Sequence, residues 1–186
     1  LSNQGGEIIQ TGNGNTRIAA TGTLNNSSGR IASNGQDLAL RATDIVSTGG
    51  KIEHAGTGTL RIEGGSYSGA GGNLTGNGAL SVNLGGAFAQ DGGTTTAKQI
   101  TVDAGAVSNR GGQIVQTGTG TTRIAAGGVL DNTTGRIASN GQDLGLSAAT
   151  LLNAAGKIEH AGSGALSISG GSFHGAALSS VAGEVI

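Results

Sequence analysis

The sequence predicts an all-β fold, a right-handed parallel β-helix (solenoid) of about eight to nine coils of 19–23 residues each. Three observations predict it. The motif L-x-N-x-x-G-x-I-x-x-x-G recurs through a chain of 186 residues. Apolar residues stand one residue apart, as they do on the inner face of a strand. Glycine occurs 39 times and proline is absent, which suits tight turns between strands whose backbone N–H groups join a ladder. Repeats of this length stack into a solenoid and do not form a globule around one pocket.

The first apolar residue of each repeat serves as the anchor of its coil. Full copies of the motif begin at Leu1, Leu24 and Leu130, and close copies begin at Ile45, Val107 and Leu151. Tyr67, Phe88 and Phe173 take the anchor position in the remaining coils. In chain order the anchors of coils 1 to 9 are Leu1, Leu24, Ile45, Tyr67, Phe88, Val107, Leu130, Leu151 and Phe173. Eight coils and the start of a ninth therefore follow one another without a break.

Each coil is predicted to contain short strands separated by turns rich in glycine, asparagine and serine. Pairs such as Leu38/Leu40 and Leu144/Leu146 place two apolar side chains on one face of a strand. Parallel coils stack about 4.8 Å apart, so the rod is roughly 40 Å long. One predicted interior column contains Ile8, Ile31, Ile52, Leu74, Ile114, Ile137 and Ile158.

A second, longer period of 106 residues indicates an internal duplication. The segment 29–38, GRIASNGQDL, is identical to 135–144, and 44 of the first 70 residues equal their partner 106 positions later. We interpret 1–186 as a single β-helical repeat segment, in which a five-coil block, 1–106, is partly duplicated at 107–186. The middle coils, 67–106, have no copy in the chain.

Composition excludes several classes of function. The formal charge is −1, from 10 basic and 11 acidic residues, so no overall basic field predicts binding to nucleic acid or to an anionic membrane. No apolar run approaches the ~20 residues of a membrane helix, and we expect no membrane insertion. The absence of cysteine excludes disulfides and thiolate sites. No signal peptide is visible, and because Leu1 already stands in register we expect a fragment of a longer protein.

The repeat pattern resembles the haemagglutinin repeat of the filamentous haemagglutinin family, most clearly over 1–66 and 107–172. The family comprises large exoproteins of Gram-negative bacteria that leave the cell by two-partner secretion, among them adhesins and effectors of contact-dependent growth inhibition. The resemblance implies a non-catalytic shaft segment at the cell surface or outside the cell. It implies a cell-surface receptor or glycan as partner, and an outer-membrane transporter that acts on another part of the parent protein. Two alternatives stay open: an adhesive module that itself binds surface glycans, and a polysaccharide-cleaving β-helix enzyme.

A column of asparagines is the first candidate site. Asn3, Asn26, Asn109, Asn132 and Asn153 follow their anchors by two residues, and Ser47 is the exception. Buried asparagines at a turn can bond backbone groups and the next amide, so we interpret the column as a structural turn ladder. The alternative is a ligand-binding ladder.

Charged and titratable residues give no catalytic or metal site. His54 and His160 are five coils apart, about 24 Å, which is too far to share one metal ion. We interpret both as outward polar residues and expect no metal and no cofactor. No cluster of carboxylates matches the 5–10 Å spacing that glycosidases need. Glu7/Arg30 and Arg41/Glu63 are predicted to be exposed cross-strand pairs.

Tyr67 and Phe88 are the second candidate site, since they anchor two consecutive coils. One interpretation is an aromatic stack in the core. The other is an exposed platform on which sugars stack, which would make 67–106 the first place to look for ligand binding.

Overall fold

A computed structural model of the chain describes residues 1–175 and 178–180. These residues form a parallel β-solenoid of about eight turns with no helix, so the predicted fold class is confirmed. The eighteen strands are, in chain order, β1 Glu7–Gln10, β2 Thr16–Ala19, β3 Thr23–Asn25, β4 Arg30–Ser33, β5 Leu38–Val46, β6 Lys51–His54, β7 Thr59–Ser68, β8 Asn73–Gly76, β9 Ala79–Ala89, β10 Thr94–Ala97, β11 Gln99–Ser108, β12 Gln113–Gln116, β13 Thr122–Asp131, β14 Arg136–Ser139, β15 Leu144–Leu152, β16 Lys157–His160, β17 Leu166–His174 and β18 Leu178–Ser180.

The strands belong to two sheets that run the length of the rod. The short-strand sheet has the order β1-β4-β6-β8-β10-β12-β14-β16-β18. The long-strand sheet has the order β17-β15-β13-β11-β9-β7-β5-β2, and β3 also pairs with β5. Each strand pairs in parallel with the equivalent strand of the next coil, as in the register Ile8↔Ile31 and Ile31↔Ile52. The backbone ladder is therefore continuous from coil to coil.

The interior is one apolar column packed between the two sheets. Alternation within the strands turns Leu38 and Leu40 inward, and both are completely buried. The predicted column is inside the rod as well: Ile31, Ile52 and Ile137 have no exposed surface, and Ile8 at the first coil is partly buried. No coil has a core of its own, because each inward side chain packs against equivalent side chains of its neighbours.

The register between neighbouring long strands shifts partway along their length. In β7 the register shifts between Gly64 and Tyr67, and Gly64 has a φ of 150°, which side chains rarely adopt. A Cβ atom on Gly64 would also collide with the carbonyl oxygen of Ala42 in the preceding coil. A concave surface of about 580 Å³ lies beside Gly64 on the outside of the long-strand sheet.

Coils 4 and 5 turn more tightly than their neighbours. Only two residues separate β8 from β9 and one residue separates β10 from β11, whereas β6 and β7 are separated by four. The shorter turns leave a notch of about 530 Å³ in the edge of the rod, lined by Thr57, Gly78, Ala79, Lys98, Gln99, Gly118, Thr119 and Gly120. The coils of 67–106 therefore differ from the other coils in the length of their turns as well as in sequence.

Candidate functional site

Two positions in each of coils 1 to 8 face into the rod at turns, and in most coils they carry polar side chains, so that they form two columns. The first-turn column precedes each short strand and contains Asn3, Asn26, Ser47, Gly69, Gln90, Asn109, Asn132 and Asn153. The second-turn column ends each short strand and contains Gln10, Ser33, His54, Gly76, Ala97, Gln116, Ser139 and His160. Each coil thus contributes one residue to each column.

The asparagines of the first-turn column bond to one another. Asn109 Nδ2 donates to Asn132 Oδ1 at 2.7 Å, and Asn132 Nδ2 donates to Asn153 Oδ1 at 2.7 Å. In the first block, Asn3 donates to Asn26 at 2.7 Å and Asn26 donates to the Ser47 hydroxyl at 3.0 Å. The structure thus places all five predicted asparagines in hydrogen-bonded chains that satisfy turn groups inside the rod.

The same amides also donate hydrogen bonds to backbone carbonyl groups of two neighbouring coils. Asn132 Nδ2 also reaches the carbonyl oxygen of Gly135 in its own coil at 3.3 Å and that of Lys157 in the next coil at 3.1 Å. Asn26 makes the equivalent bonds to Gly29 and Lys51. These amides are engaged by the protein itself, which is the arrangement expected of a structural column.

The column changes its chemistry in coils 4 and 5, where Gly69 and Gln90 replace asparagine. Gln90 is completely buried. Its amide nitrogen donates to the carbonyl oxygen of Gly72 in the preceding coil at 2.9 Å. A Cβ atom on Gly69 would collide with Gln90 Oε1 and lie 2.5 Å from the Tyr67 hydroxyl. Gln90 and Tyr67 therefore occupy the space that an asparagine would fill. Sequence reasoning missed Gln90, although its spacing of two residues from the anchor Phe88 was a usable signal.

Tyr67 and Phe88 form a stacked aromatic pair inside the core. Their ring centroids are 5.2 Å apart with an interplanar angle of 18°, and their exposed fractions are 1% and 0%. Burial raises the pKa of the Tyr67 hydroxyl. The hypothesis of an exposed sugar-stacking platform is therefore wrong for these two residues. The anchor residue is buried in each of coils 2 to 8, so an aromatic anchor in the middle of the rod packs in the core.

The second-turn column was not foreseen from the sequence. Gln116 Nε2 donates to the carbonyl oxygens of Lys98 at 2.8 Å and Gly118 at 2.7 Å. Its Oε1 atom accepts a bond of 2.7 Å from the Ser139 hydroxyl. The order glutamine, serine, histidine occurs at Gln10, Ser33 and His54 and again 106 residues later at Gln116, Ser139 and His160. That repetition was the available signal.

The prediction that His54 and His160 point outward is wrong. His54 and His160 have exposed fractions of 1% and 0%. Each follows an inward isoleucine by two residues, and alternation returns the chain to the same face after two residues. His54 Nε2 lies 3.1 Å from the carbonyl oxygen of Gln36, a backbone group of the preceding coil.

The carboxylates are spread along the rod in structural roles. Asp37 accepts a bond of 2.7 Å from the backbone N–H of Thr59, where the next long strand begins. Glu53 pairs with Arg30 at 2.7 Å, and Glu159 pairs with Arg136 at 2.6 Å. Within residues 1–175 and 178–180, no group of three histidine, aspartate or glutamate side chains is placed to hold a metal ion.

The predicted cross-strand pairs are in the expected register. Glu7 lies opposite Arg30, with a closest charged contact of 4.0 Å, and Arg41 lies opposite Glu63. The shorter contact of Arg30 is the diagonal one to Glu53 in the next coil. Exposed pairs of this kind contribute about 0–1 kcal/mol each.

Asp91 and Arg110 form an ion pair that joins coils 5 and 6. The Arg110 guanidinium donates to Asp91 Oδ2 at 3.0 and 2.8 Å, and the Ser108 hydroxyl donates to Oδ1 at 2.6 Å. Partial burial alone would raise the pKa of the Asp91 carboxyl, but these hydrogen bonds outweigh it and the pKa is lowered.

We expect Asp91→Asn to lower the melting temperature by about 1–3 °C at pH 7, since an exposed pair contributes little. Because the folded-state pKa of Asp91 is depressed, its contribution is present above the unfolded-state pKa and is lost as pH falls through the folded-state value. Thermal melts at pH 7 and pH 3 check this. The difference between the wild type and Asp91→Asn should be largest at pH 7 and smaller at pH 3, below the unfolded-state pKa. A constant difference would contradict a role for the charge.

Comparison of the chain with known protein families identifies its repeat. The family model of the haemagglutinin repeat matches residues 1–28, 11–64, 55–133 and 117–180, which together cover nearly the whole chain. The chain belongs to the haemagglutinin repeat family. No curated protein and no solved structure matches it.

Membership of the haemagglutinin repeat family confirms the resemblance that the repeat pattern indicated. Proteins with haemagglutinin repeats are generally structural or adhesive and not catalytic, and the family is one of secreted or surface exoproteins. In the described part of this haemagglutinin-repeat chain, no helix is both long and apolar enough to cross a membrane.

Proposed function

We propose that this chain is a non-catalytic segment of the shaft of a large exoprotein of the filamentous haemagglutinin type, exported to the surface of a Gram-negative bacterium. The observation that carries the proposal is the continuity of both sheets through all the coils. Its role is mechanical: it spans distance and presents an adhesive or growth-inhibiting region located elsewhere in the parent protein.

The architecture suits a spacer, because each coil stacks only on its neighbours. The turn between coils 1 and 2 is rebuilt between coils 6 and 7, where Asn109 and Asn132 repeat the bond from Asn3 to Asn26. Because the sequence 29–38 is repeated at 135–144, a junction between two copies of the block brings the same residues into contact as the native junction does. Length can therefore grow by adding blocks without changing the core.

Insertion of one further block tests this proposal. A second copy of residues 30–135, placed after Gly135, adds 106 residues and recreates the native junction between Gly135 and arginine. We expect the folded rod to lengthen by five coils, about 24 Å, as measured by small-angle X-ray scattering.

A matched insertion that ends half a coil early serves as the control. A copy of residues 30–124 in the same place joins Ile124 of a long strand to Arg136, which begins a short strand. We expect this chain to lose its cooperative melt, since the ladder cannot continue in register. Equal behaviour of the two insertions, or an in-register insertion that does not lengthen the rod, would contradict the spacer role.

A further inference from the structure

The outer side of the short-strand sheet carries two columns of side chains, because alternation turns the first and third residues of each strand outward. The first residues form the leading column, which in coils 1 to 8 contains Glu7, Arg30, Lys51, Asn73, Thr94, Gln113, Arg136 and Lys157. The third residues form the trailing column, which contains Ile9, Ala32, Glu53, Thr75, Thr96, Val115, Ala138 and Glu159. We call the two columns together the short-strand face.

The leading column places like charges beside each other. Arg30 lies opposite Lys51 in register, and Arg136 lies opposite Lys157. Like charges directly opposite on neighbouring strands are destabilising. Each arginine is bonded to a glutamate of the trailing column, but no ion pair of the described residues includes either lysine. Both blocks of the duplication therefore present an exposed lysine without a carboxylate partner in its own chain.

The two columns complement each other within each coil. In coil 3, Lys51 precedes Glu53 by two residues on the same face, and coil 8 repeats this arrangement. In coil 2, Arg30 is followed by the small side chain of Ala32, and coil 7 repeats that combination as well. In none of coils 1 to 8 do the leading and trailing columns carry the same charge.

A half-turn about an axis parallel to the rod uses this complementarity fully. It lays the leading column of one copy over the trailing column of another, coil for coil, so that the contacts are mutual. Lys51 then faces Glu53 of the second copy, and Glu53 faces Lys51 of the second copy. Coil 8 forms the equivalent contacts. Each arginine of the leading column faces an alanine, which leaves room for its longer side chain.

We propose that the short-strand face binds a second copy of this chain, and that the two rods lie parallel and in register. The unpaired lysines of coils 3 and 8 find their carboxylate partners across this interface. Opposite potentials at matching positions favour one partner and one register over others.

The reverse orientation of the second rod is disfavoured by charge. A half-turn about the strand direction at coil 5 lays each column on itself and sets Lys51 against Arg136 of the second copy. The same half-turn between coils 5 and 6 sets Lys51 against Lys157. Like charges brought together at an interface are repulsive, so the antiparallel pair is the weaker one.

A groove along the trailing column gives the second copy a place to dock. It has a volume of about 440 Å³ and is lined by Arg30, Ala32, Asn34, Glu53, Thr75 and Asn77, among others. Part of the Glu53 carboxylate stays accessible there, because Arg30 Nε bonds only to its Oε2 atom. The leading column of the second copy, with its arginine and lysine, lies along this groove in the parallel pair.

The size of the face predicts a weak dimer for this segment. Eight coils at about 4.8 Å and four residues at about 3.3 Å give a face of about 38 by 13 Å. The pair thus covers about 500 Å² of each rod, and about 1,000 Å² in total is the lower limit for a specific interface. A longer array of the same block adds area in proportion to its length. The proposal does not rest on the spacer role, since a single rod also spans distance.

Sedimentation equilibrium of the chain tests the pairing. We expect the wild type to be partly dimeric at about 0.2 mM in about 0.05 M NaCl and monomeric in about 0.5 M NaCl, because salt screens exposed ion pairs. Lys51→Glu together with Lys157→Glu should weaken the dimer at least about tenfold, since it sets glutamate against glutamate. A wild type that stays monomeric at low salt, or a double variant that still dimerises like the wild type, would overturn the proposal.

A charge-swapped partner separates pairing from misfolding and from bulk repulsion. Glu53→Lys together with Glu159→Lys should also be monomeric alone, but an equal mixture of the two double variants should dimerise, because every contact is then lysine with glutamate. Lys98→Glu together with Arg123→Glu makes the same change in charge away from the short-strand face, and its dimer should stay within about twofold of the wild type. No dimer in the mixture, or equal weakening by the control variant, would contradict the assigned face.

The orientation is measured with one spin label on Asn34→Cys, since the chain has no other cysteine and Asn34 is exposed in the second turn of coil 2. In the parallel pair the two labels lie at the same height and about 22 Å apart, whereas an antiparallel pair separates them by more than about 30 Å. Double electron–electron resonance distinguishes the two distances. A dimer that shows only the longer distance would refute the parallel, in-register arrangement.

Discussion

Phe88→Ala is expected to lower the free energy of unfolding by about 3–5 kcal/mol, the range for truncation of a buried phenylalanine. Phe88 is completely buried and lies in register with Tyr67 in coil 4 and Val107 in coil 6. Its removal opens a cavity between three coils. Because the backbone ladder fixes the spacing of the coils, the walls of that cavity cannot close fully. Urea unfolding followed by circular dichroism measures the effect.

Phe173→Ala is the matched control, since Phe173 anchors coil 9 as Phe88 anchors coil 5. Phe173 is 43% exposed, so we expect its truncation to cost less than about 1 kcal/mol. A loss for Phe88→Ala no larger than that for Phe173→Ala would contradict the assignment of the aromatic stack to the core.

Asn132→Ala is expected to lower the free energy of unfolding by about 2–4 kcal/mol. The substitution removes the acceptor of Asn109 Nδ2 and the donor to Asn153 Oδ1, both at 2.7 Å, as well as the bond to the Lys157 carbonyl. Each buried polar group left without a partner costs about 1–3 kcal/mol. Thermal and urea unfolding should both shift.

Asn140→Ala provides the comparison within the same coil, because Asn140 is exposed in the second turn. Its expected effect is within about 0.5 kcal/mol. Asn26→Ala should behave like Asn132→Ala, since Asn26 also bonds both neighbouring coils. Wild-type melting of the Asn132 variant would show that the column does not support the turns.

One physical rule explains why the histidine assignment is wrong and why the core interpretation of the aromatic pair is right. Tyr67 and Phe88 stand at an anchor position, and His54 follows Ile52 by two residues. Strict alternation assigns all of these to the inner face. Polar character alone suggests an exposed imidazole, whereas alternation within the strand decides the burial. Applied without exception, the same periodicity that predicted Leu38 and Leu40 would have predicted these residues as well.

Other features depend on the stacking of coils and are not visible along the chain. Asp91, for example, meets Ser108 and Arg110 only when the turn of coil 5 lies beside that of coil 6. Likewise, Gln90 supports the turn of coil 4 because Gly69 leaves room for its amide to reach Gly72. These contacts join residues about 20 positions apart.

The sequence by itself determined the repeat, the coil boundaries and the inward face of each strand, because alternation and turn chemistry act over a few neighbouring residues. The tertiary structure decided which side chains meet across coils. Which side chains meet depends on the length of every turn between them. The one-residue connection at Lys98 and the longer turn at Gly56 give coils of the same repeat different cross-sections. The notch is a product of that stacking, since it combines residues from several coils.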